Sequence, residues 1–165
     1  MLRQLWVYDD RKTLICVDSY DNGVMEGRFF SPLRGMERFS SLSQFLVRME
    51  SLLEESRVPQ AYTSRRSFSA LLPQEQAEVL PIDRRHGAKA TFELQILFRQ
   101  HSSWQGLVVW KDKKVEQSFR SVLELVLLMD SALRGMDGHE TINVPTSDKR
   151  HPKERKENIS GSTKM

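Results

Sequence analysis

The sequence predicts an α+β protein, in which an antiparallel sheet carries helices on one face. Strand-like segments precede a helix-like segment in each half of the chain, which is the order expected of that class. The second half also repeats the order of the first, which predicts two related hairpin–helix units packed as one pseudo-twofold domain. The 165 residues suffice for one domain with a hydrophobic core.

The expected layout is a single domain over residues 1–136 followed by a polar tail. The first unit spans about 13–55, a connector spans 56–90, and the second unit spans about 91–134. Residues 137–165 are poor in apolar side chains and rich in mixed charge, so we expect disorder there.

The first unit begins with a predicted β-hairpin. Residues 13–17 (TLICV) form a strand, and Asn22-Gly23 predicts a type I′ turn, because both central residues of that turn have positive φ. Residues 24–30 then form the returning strand, and a short third strand is expected over 36–39.

A helix is predicted over residues 40–55. Ser41 and Gln44 have the spacing of a capping box, which satisfies free N–H groups of the first helical turn. The apolar side chains recur at the spacing of one helical face. These are Leu42, Phe45, Leu46, Met49, Leu52 and Leu53.

The connector is less regular, and its pattern allows a strand over 62–68 and a short helix over 73–80. The second unit opens with the clearest strand of the chain, residues 91–98 (TFELQILF), whose apolar residues alternate. Further strands are expected over 107–110 and 115–118, and a helix from about 120 to 133.

The two predicted helices align without gaps at an offset of 80 residues. A one-residue shift extends the match upstream, where Gly27 corresponds to Gly106. Two amphipathic helices resemble one another through shared periodicity alone, which is the alternative explanation for the apolar matches. The identical pairs in the helix region are Phe39/Phe119, Ser41/Ser121, Met49/Met129, Ser51/Ser131 and Leu53/Leu133.

The second helix carries more apolar residues than one face can hold. Leu123, Leu127 and Leu128 lie in addition to its main stripe. Either the connector or a second subunit must cover such a surface, so we predict an interface and consider a homodimer. Trp104 and Trp110 are further interface candidates, with packing on a sheet face as the alternative.

The bulk composition excludes several classes of protein. Cys16 is the only cysteine, so the chain forms no internal disulfide and no cysteine-based zinc site. No run of about 18 apolar residues occurs, which predicts no transmembrane helix. Acidic residues follow the N-terminus too closely for a leader peptide, so we expect a cytoplasmic protein without a membrane role.

No catalytic motif is recognisable. The sequence contains no glycine-rich phosphate loop, nucleophile elbow or metal-spaced histidine pair. We therefore predict a non-enzymatic protein, with no catalytic residue, metal or cofactor assigned. Asp9, Asp10 and Asp18 could bind a divalent metal if their carboxylates converge, and an exposed strand edge is the alternative.

The connector predicts a second kind of binding site. Its basic residues could contact phosphates, with Tyr62 and Phe68 available for stacking, and a solvated connector is the alternative. The formal net charge of +3 permits nucleic-acid binding without implying it. The candidate nucleic-acid or anion patch consists of Arg57, Arg65, Arg66, Arg84, Arg85 and Lys89.

In arrangement, each unit is similar to the small strand-then-helix unit of HicB-type antitoxins. Asn22-Gly23 occupies the hairpin turn, and Ser41 with Gln44, or Ser121 with Glu124, occupies the helix start. The resemblance covers about forty residues of each unit. The Pro-Gly pair of that family is absent, and no DNA-binding helical domain is evident, so no functional residue is transferred.

The sequence thus predicts a small cytoplasmic binding or regulatory protein that acts through protein–protein contacts, either with another protein or with itself. The alternative is a nucleic-acid-binding regulator with a HicB-antitoxin-like arrangement, which would use the arginine-rich connector. An absence of convergent polar groups in the sequence favours binding over catalysis.

Overall fold

A computed structural model describes residues 11–69, 78–81 and 85–137. These residues have the expected α+β class, with one antiparallel sheet and two helices. Its elements are β1 (Lys12–Asp21), β2 (Val24–Ser31), β3 (Gly35–Phe39), α1 (Leu42–Ser56), β4 (Val79–Leu80), β5 (Ala90–Phe98), β6 (Gln105–Trp110), β7 (Val115–Phe119) and α2 (Val122–Asp137).

The strands form an open sheet in the order β4-β3-β2-β1-β5-β6-β7, and every neighbouring pair is antiparallel. The two halves of the chain meet at its centre, where β1 pairs with β5 and Ile15 lies opposite Phe92. Six strands have five or more residues, whereas β4 has two and lies at one edge. The opposite edge is β7.

The predicted hairpin turn has the required backbone geometry. Asn22 and Gly23 have φ angles of 51° and 78°, which both central residues of a type I′ turn need. The turn between β5 and β6 also has two residues with positive φ, His101 at 53° and Ser102 at 54°. Neither residue is glycine, so the sequence carries no comparable signal there.

Each half contains an irregularity next to a glycine. The pairing of β1 with β2 shifts after Val17, which lies opposite Gly27. The pairing of β5 with β6 shifts after Ile96, which lies opposite Gly106. A β-bulge of this kind bends its strand and increases the local twist.

Both glycines permit a close backbone approach. A methyl group on Gly27 would overlap the carbonyl oxygen of Cys16, and one on Gly106 would overlap that of Gln95. Because these obstacles are main-chain atoms of the neighbouring strand, no side-chain rotation removes the overlap. Glycine is therefore required at both positions.

The helices begin as the sequence predicts. The hydroxyl of Ser41 accepts the backbone N–H of Gln44 at 3.2 Å, and that of Ser121 accepts the N–H of Glu124 at 3.1 Å. The Gln44 and Glu124 side chains accept the N–H groups of residues 40 and 120, just before the caps. α2 continues to Asp137, beyond its expected end. Among the described residues, no helix has the length and apolar character to cross a membrane.

Both helices pack on one face of the sheet and share one core. Phe29 of β2 meets Phe45 of α1 edge to face, with ring centroids 5.4 Å apart. Leu125 and Met129 of α2 are buried in the same cluster. The helices contact opposite ends of the sheet, α1 against β2 and β3 and α2 against β6 and β7.

The connector differs from its prediction. Residues 62–68 form no strand, and their region contains only an isolated bridge between Ala61 and Arg99. The helix expected over 73–80 is wrong at its end, because Val79–Leu80 is the strand β4 paired with β3. Residues 70–77 lie outside the described part of the chain.

Cys16 is a free, fully buried thiol in β1. Burial raises its pKa from the ordinary 9.0 to about 11, which lowers the thiolate fraction at neutral pH about 100-fold. We expect the native protein to react with a thiol reagent such as DTNB at least about 100-fold more slowly than the urea-unfolded chain. Stopped-flow absorbance measures both rates, and similar rates would contradict the burial of Cys16.

Candidate interaction surfaces

The outward side of α2 exposes two large apolar side chains. Leu123 is 66% exposed and Leu127 is 58% exposed, one turn apart on the side away from the core. Leu128 is half-buried and packs against the core cluster. We call the surface formed by Leu123 and Leu127 the outer face of α2.

The matched positions of α1 have a different character. Residues 41–50 and 121–130 show the same order of buried, half-buried and exposed positions. Where α2 has Leu123 and Leu127, α1 has Ser43 and Val47, and Val47 is 45% exposed. The outer face of α2 is therefore more apolar than the matching surface of α1.

The two tryptophans belong to the core. Trp104 is 4% exposed, and its indole N–H donates to Glu50 at 2.7 Å. Trp110 is 8% exposed and stacks on Phe92, with ring centroids 6.4 Å apart. The structure thus places both predicted interface tryptophans against the sheet rather than on the outer face of α2.

The basic residues of the connector are divided between the two faces of the sheet. Arg85 lies over the ring of Phe30, 5.8 Å from its centroid. Phe30 alternates with Phe29, which contacts α1, so Arg85 lies on the face away from the helices. Lys89 donates its backbone N–H to Val17 at 2.9 Å.

The remaining basic residues lie elsewhere. Arg65 and Arg66 are exposed beside α1, on the helix side of the sheet. Arg57 ends α1, with a left-handed φ of 57°. Arg84 lies outside the described residues. The structure therefore does not bring the described members of the predicted patch together.

Arg65 and Arg66 line a groove of about 330 Å³ between α1, the β5–β6 turn and the connector. Hydroxyl groups form part of its wall, including those of Thr63 and Ser102, which lie 2.9 Å apart. Trp104 lies at its buried end. Its lining also includes the acid Glu50 and the apolar side chains of Leu46 and Val122.

Arg99 is the buried cation of this groove, and no motif in the sequence indicated it. Its side chain is 4% exposed and forms ion pairs with Glu50 and Glu54 of α1. Burial lowers the pKa of Arg99, but hydrogen bonds with the two carboxylates outweigh it and raise the pKa above its ordinary value. The i, i+4 spacing of the two acids was the only available signal.

A second contact also joins the two halves, but here the strand belongs to the first half and the helix to the second. Tyr20, at the end of β1, donates its hydroxyl proton to Asp130 of α2. This hydrogen bond lowers the pKa of Asp130. Arg134, one turn further along α2, also pairs with Asp130, at 2.9 Å. Each half thus supplies a side chain from its central strand or just after it, Tyr20 in β1 and Arg99 after β5, that is bound by the helix of the other half.

The acidic residues near the first strand are partly outside the described chain. Asp9 and Asp10 belong to the undescribed residues, and Asp18 forms an ion pair with Arg28 at 2.8 Å. Within residues 11–69, 78–81 and 85–137, no three histidine, cysteine or acidic side chains converge in a way that could hold a metal ion.

Compared with protein-family models, with curated proteins and with solved structures, the chain matches none.

Proposed function

We propose that this protein is a non-enzymatic binding protein that contacts protein partners through the outer face of α2. The exposure of Leu123 and Leu127 carries the proposal, because burying the part of each leucine that is still exposed would stabilise a complex by about 1–2 kcal/mol. Neighbouring apolar side chains that together face water are typical of interaction sites, and within the described part of the chain both leucines remain exposed.

The groove beside α1 supports a phosphate-binding function less well. Glu50 and Glu54 already pair with its buried cation, Arg99, and they add negative charge beside Arg65 and Arg66. Arg85 lies on the other face of the sheet and cannot contribute. The arrangement therefore favours protein contacts over nucleic-acid binding.

We also infer that the two halves of the domain are related copies. The bulges after Val17 and Ile96, and the glycines opposite them, occur at one offset of 79 residues. Both caps and the helix burial pattern occur at an offset of 80 residues. Shared periodicity accounts for apolar spacing, but it does not account for matched bulges.

The proposed binding surface is tested with the double variant Leu123→Gln and Leu127→Gln. The tagged full-length chain is cross-linked in its expression host, and the captured proteins, including further copies of the chain, are identified by mass spectrometry. We expect the wild-type chain to form a specific complex that the variant loses, because glutamine removes the apolar surface without adding charge.

The matched control is Val47→Gln, which makes the same kind of change on α1 and should retain the complex. Circular dichroism should show the same melting temperature for the double variant and the wild type, since both leucines are exposed. A complex with another protein that the double variant leaves unaffected would contradict the proposal, as would the absence of any wild-type complex.

A further inference from the structure

The two ends of the sheet differ in whether the strand that leads into the helix is covered by another strand. β3 does not form an edge, because β4 pairs with it, with Met36 opposite Leu80. At the other end, no described strand pairs with the outer side of β7. An unpaired edge exposes alternate N–H and C=O groups, which can template another strand.

β3 and β7 occupy equivalent places in the two halves. Phe39 of β3 lies opposite Gly27, and Phe119 of β7 lies opposite Gly106. Each strand leads directly into a capped helix. The chain itself therefore shows that this position accepts an additional antiparallel strand on its outer side.

The residues of β7 suit pairing with an identical strand. Residues 115–118 are all exposed, and Val115 is 36% exposed on the same side of the sheet as buried Phe119. Glu116 is the only charged residue within the strand. Arg120, which follows the strand, is already paired with Glu124 at 3.0 Å.

We propose that the outer edge of β7 pairs with the β7 of a second copy of this chain, antiparallel and centred on Gln117. This inference goes beyond the proposed function, because the edge of β7 is a different surface from the outer face of α2. Val115 then lies opposite Phe119 of the second copy, and Glu116 lies opposite Ser118. This register places no like charges opposite each other within the strands, whereas centring on Glu116 would place two carboxylates together.

The helices fit the same arrangement. α2 rests on β6 and β7, so each helix axis lies about one strand spacing from the twofold axis. Strands lie about 4.8 Å apart, which separates α2 from its copy by about 10 Å, the distance at which helices pack.

The side of α2 above the edge carries Leu128. In α1, the matched Arg48 reaches the carbonyl of Arg38 in β3, which shows that this position overlies the outer strand. Half-buried Leu128 therefore contributes apolar surface to the proposed seam between the two copies. A twofold interface of this kind covers the β7 edge of each copy with the β7 edge of the other.

The test combines solution mass with site-directed cross-linking of the full chain. Sedimentation equilibrium over a range of concentrations should give a mass twice that of one chain. Gln117→Cys should form a covalent dimer under mild oxidation, because directly opposed antiparallel residues have Cα atoms about 4.5–5.5 Å apart, within disulfide range. Cys16 is buried, so it should not take part in the cross-linking.

The matched control is Val24→Cys, an exposed position at the start of β2, which is an interior strand of the sheet and pairs there with Asp21 of β1. It should form no rapid covalent dimer. A monomeric mass at every concentration would overturn the pairing, and the proposed function would stand if Leu123→Gln with Leu127→Gln still abolished capture of another protein. A third outcome is a dimer that the double variant dissociates and that does not cross-link through position 117. That outcome would place self-association on the outer face of α2 and would overturn the β7 pairing.

Discussion

Replacing Gly27 by alanine is expected to destabilise the fold by about 3 kcal/mol or more, near the upper end of overpacking costs. The added methyl group would overlap the carbonyl oxygen of Cys16, which belongs to the backbone of the central strand β1. Relief requires β1 and β2 to separate, which weakens their ladder next to the bulge. Urea denaturation followed by circular dichroism measures the loss.

The chain offers two matched controls for this change. Gly106→Ala should cost a similar amount, because its methyl group would overlap the carbonyl oxygen of Gln95 in the same way. Gly135→Ala should instead stabilise the protein by up to about 1 kcal/mol, since it lies in α2 with open space around it. Little effect from Gly27→Ala would contradict the close approach of β1 and β2.

Replacing Phe45 by alanine is expected to cost about 3–5 kcal/mol. Its ring is fully buried and contacts two aromatic neighbours, Phe29 at 5.4 Å and Phe39 at 5.3 Å between centroids. Removing it leaves a cavity between α1 and the sheet that rigid strands cannot fill. The free energy of unfolding follows from the same urea titration.

The control on the same helix is Val47→Ala, at a side chain 45% exposed. Its effect should stay within about 0.5 kcal/mol, as is usual for surface positions. A comparable loss at positions 45 and 47 would mean that α1 packs on the sheet through a different face.

The local features of the fold could be predicted because each has a short-range cause. Asn22-Gly23 specified a turn through its positive φ angles, and Ser41 and Ser121 specified the helix starts through their hydroxyl groups. The alternation of residues 91–98 predicted the strand that became β5. None of these required knowledge of distant residues.

The non-local features could not be predicted in this way. The central pairing of β1 with β5 joins segments about 80 residues apart, and no local pattern determines which strand pairs with which. β4 could not be predicted because two residues are too few to show the alternation of a strand. They form a strand only through their pairing with β3. Arg99 is another example, since its burial depends on the distant acids Glu50 and Glu54.

The candidate surfaces also differ in whether a local sequence signal identifies them. Leu123 and Leu127 were identifiable because they exceed what one apolar helix face can bury, a property of the helix alone. Trp104 and Trp110 could not be placed, because tryptophan suits both interfaces and cores. The basic residues of the connector are close in sequence, but Arg66 and Arg85 lie on opposite faces of the sheet.

The crossed contacts of Tyr20 and Arg99 have a consequence for cooperativity. Tyr20 is bound by Asp130 of the second helix, and Arg99 is bound by Glu50 of the first, so unfolding either half removes an anchor from the other. A fragment carrying only one half would also leave β1 or β5 without its central partner. Residues 11–137 should therefore unfold in a single two-state transition, and separately expressed halves should gain structure only when mixed.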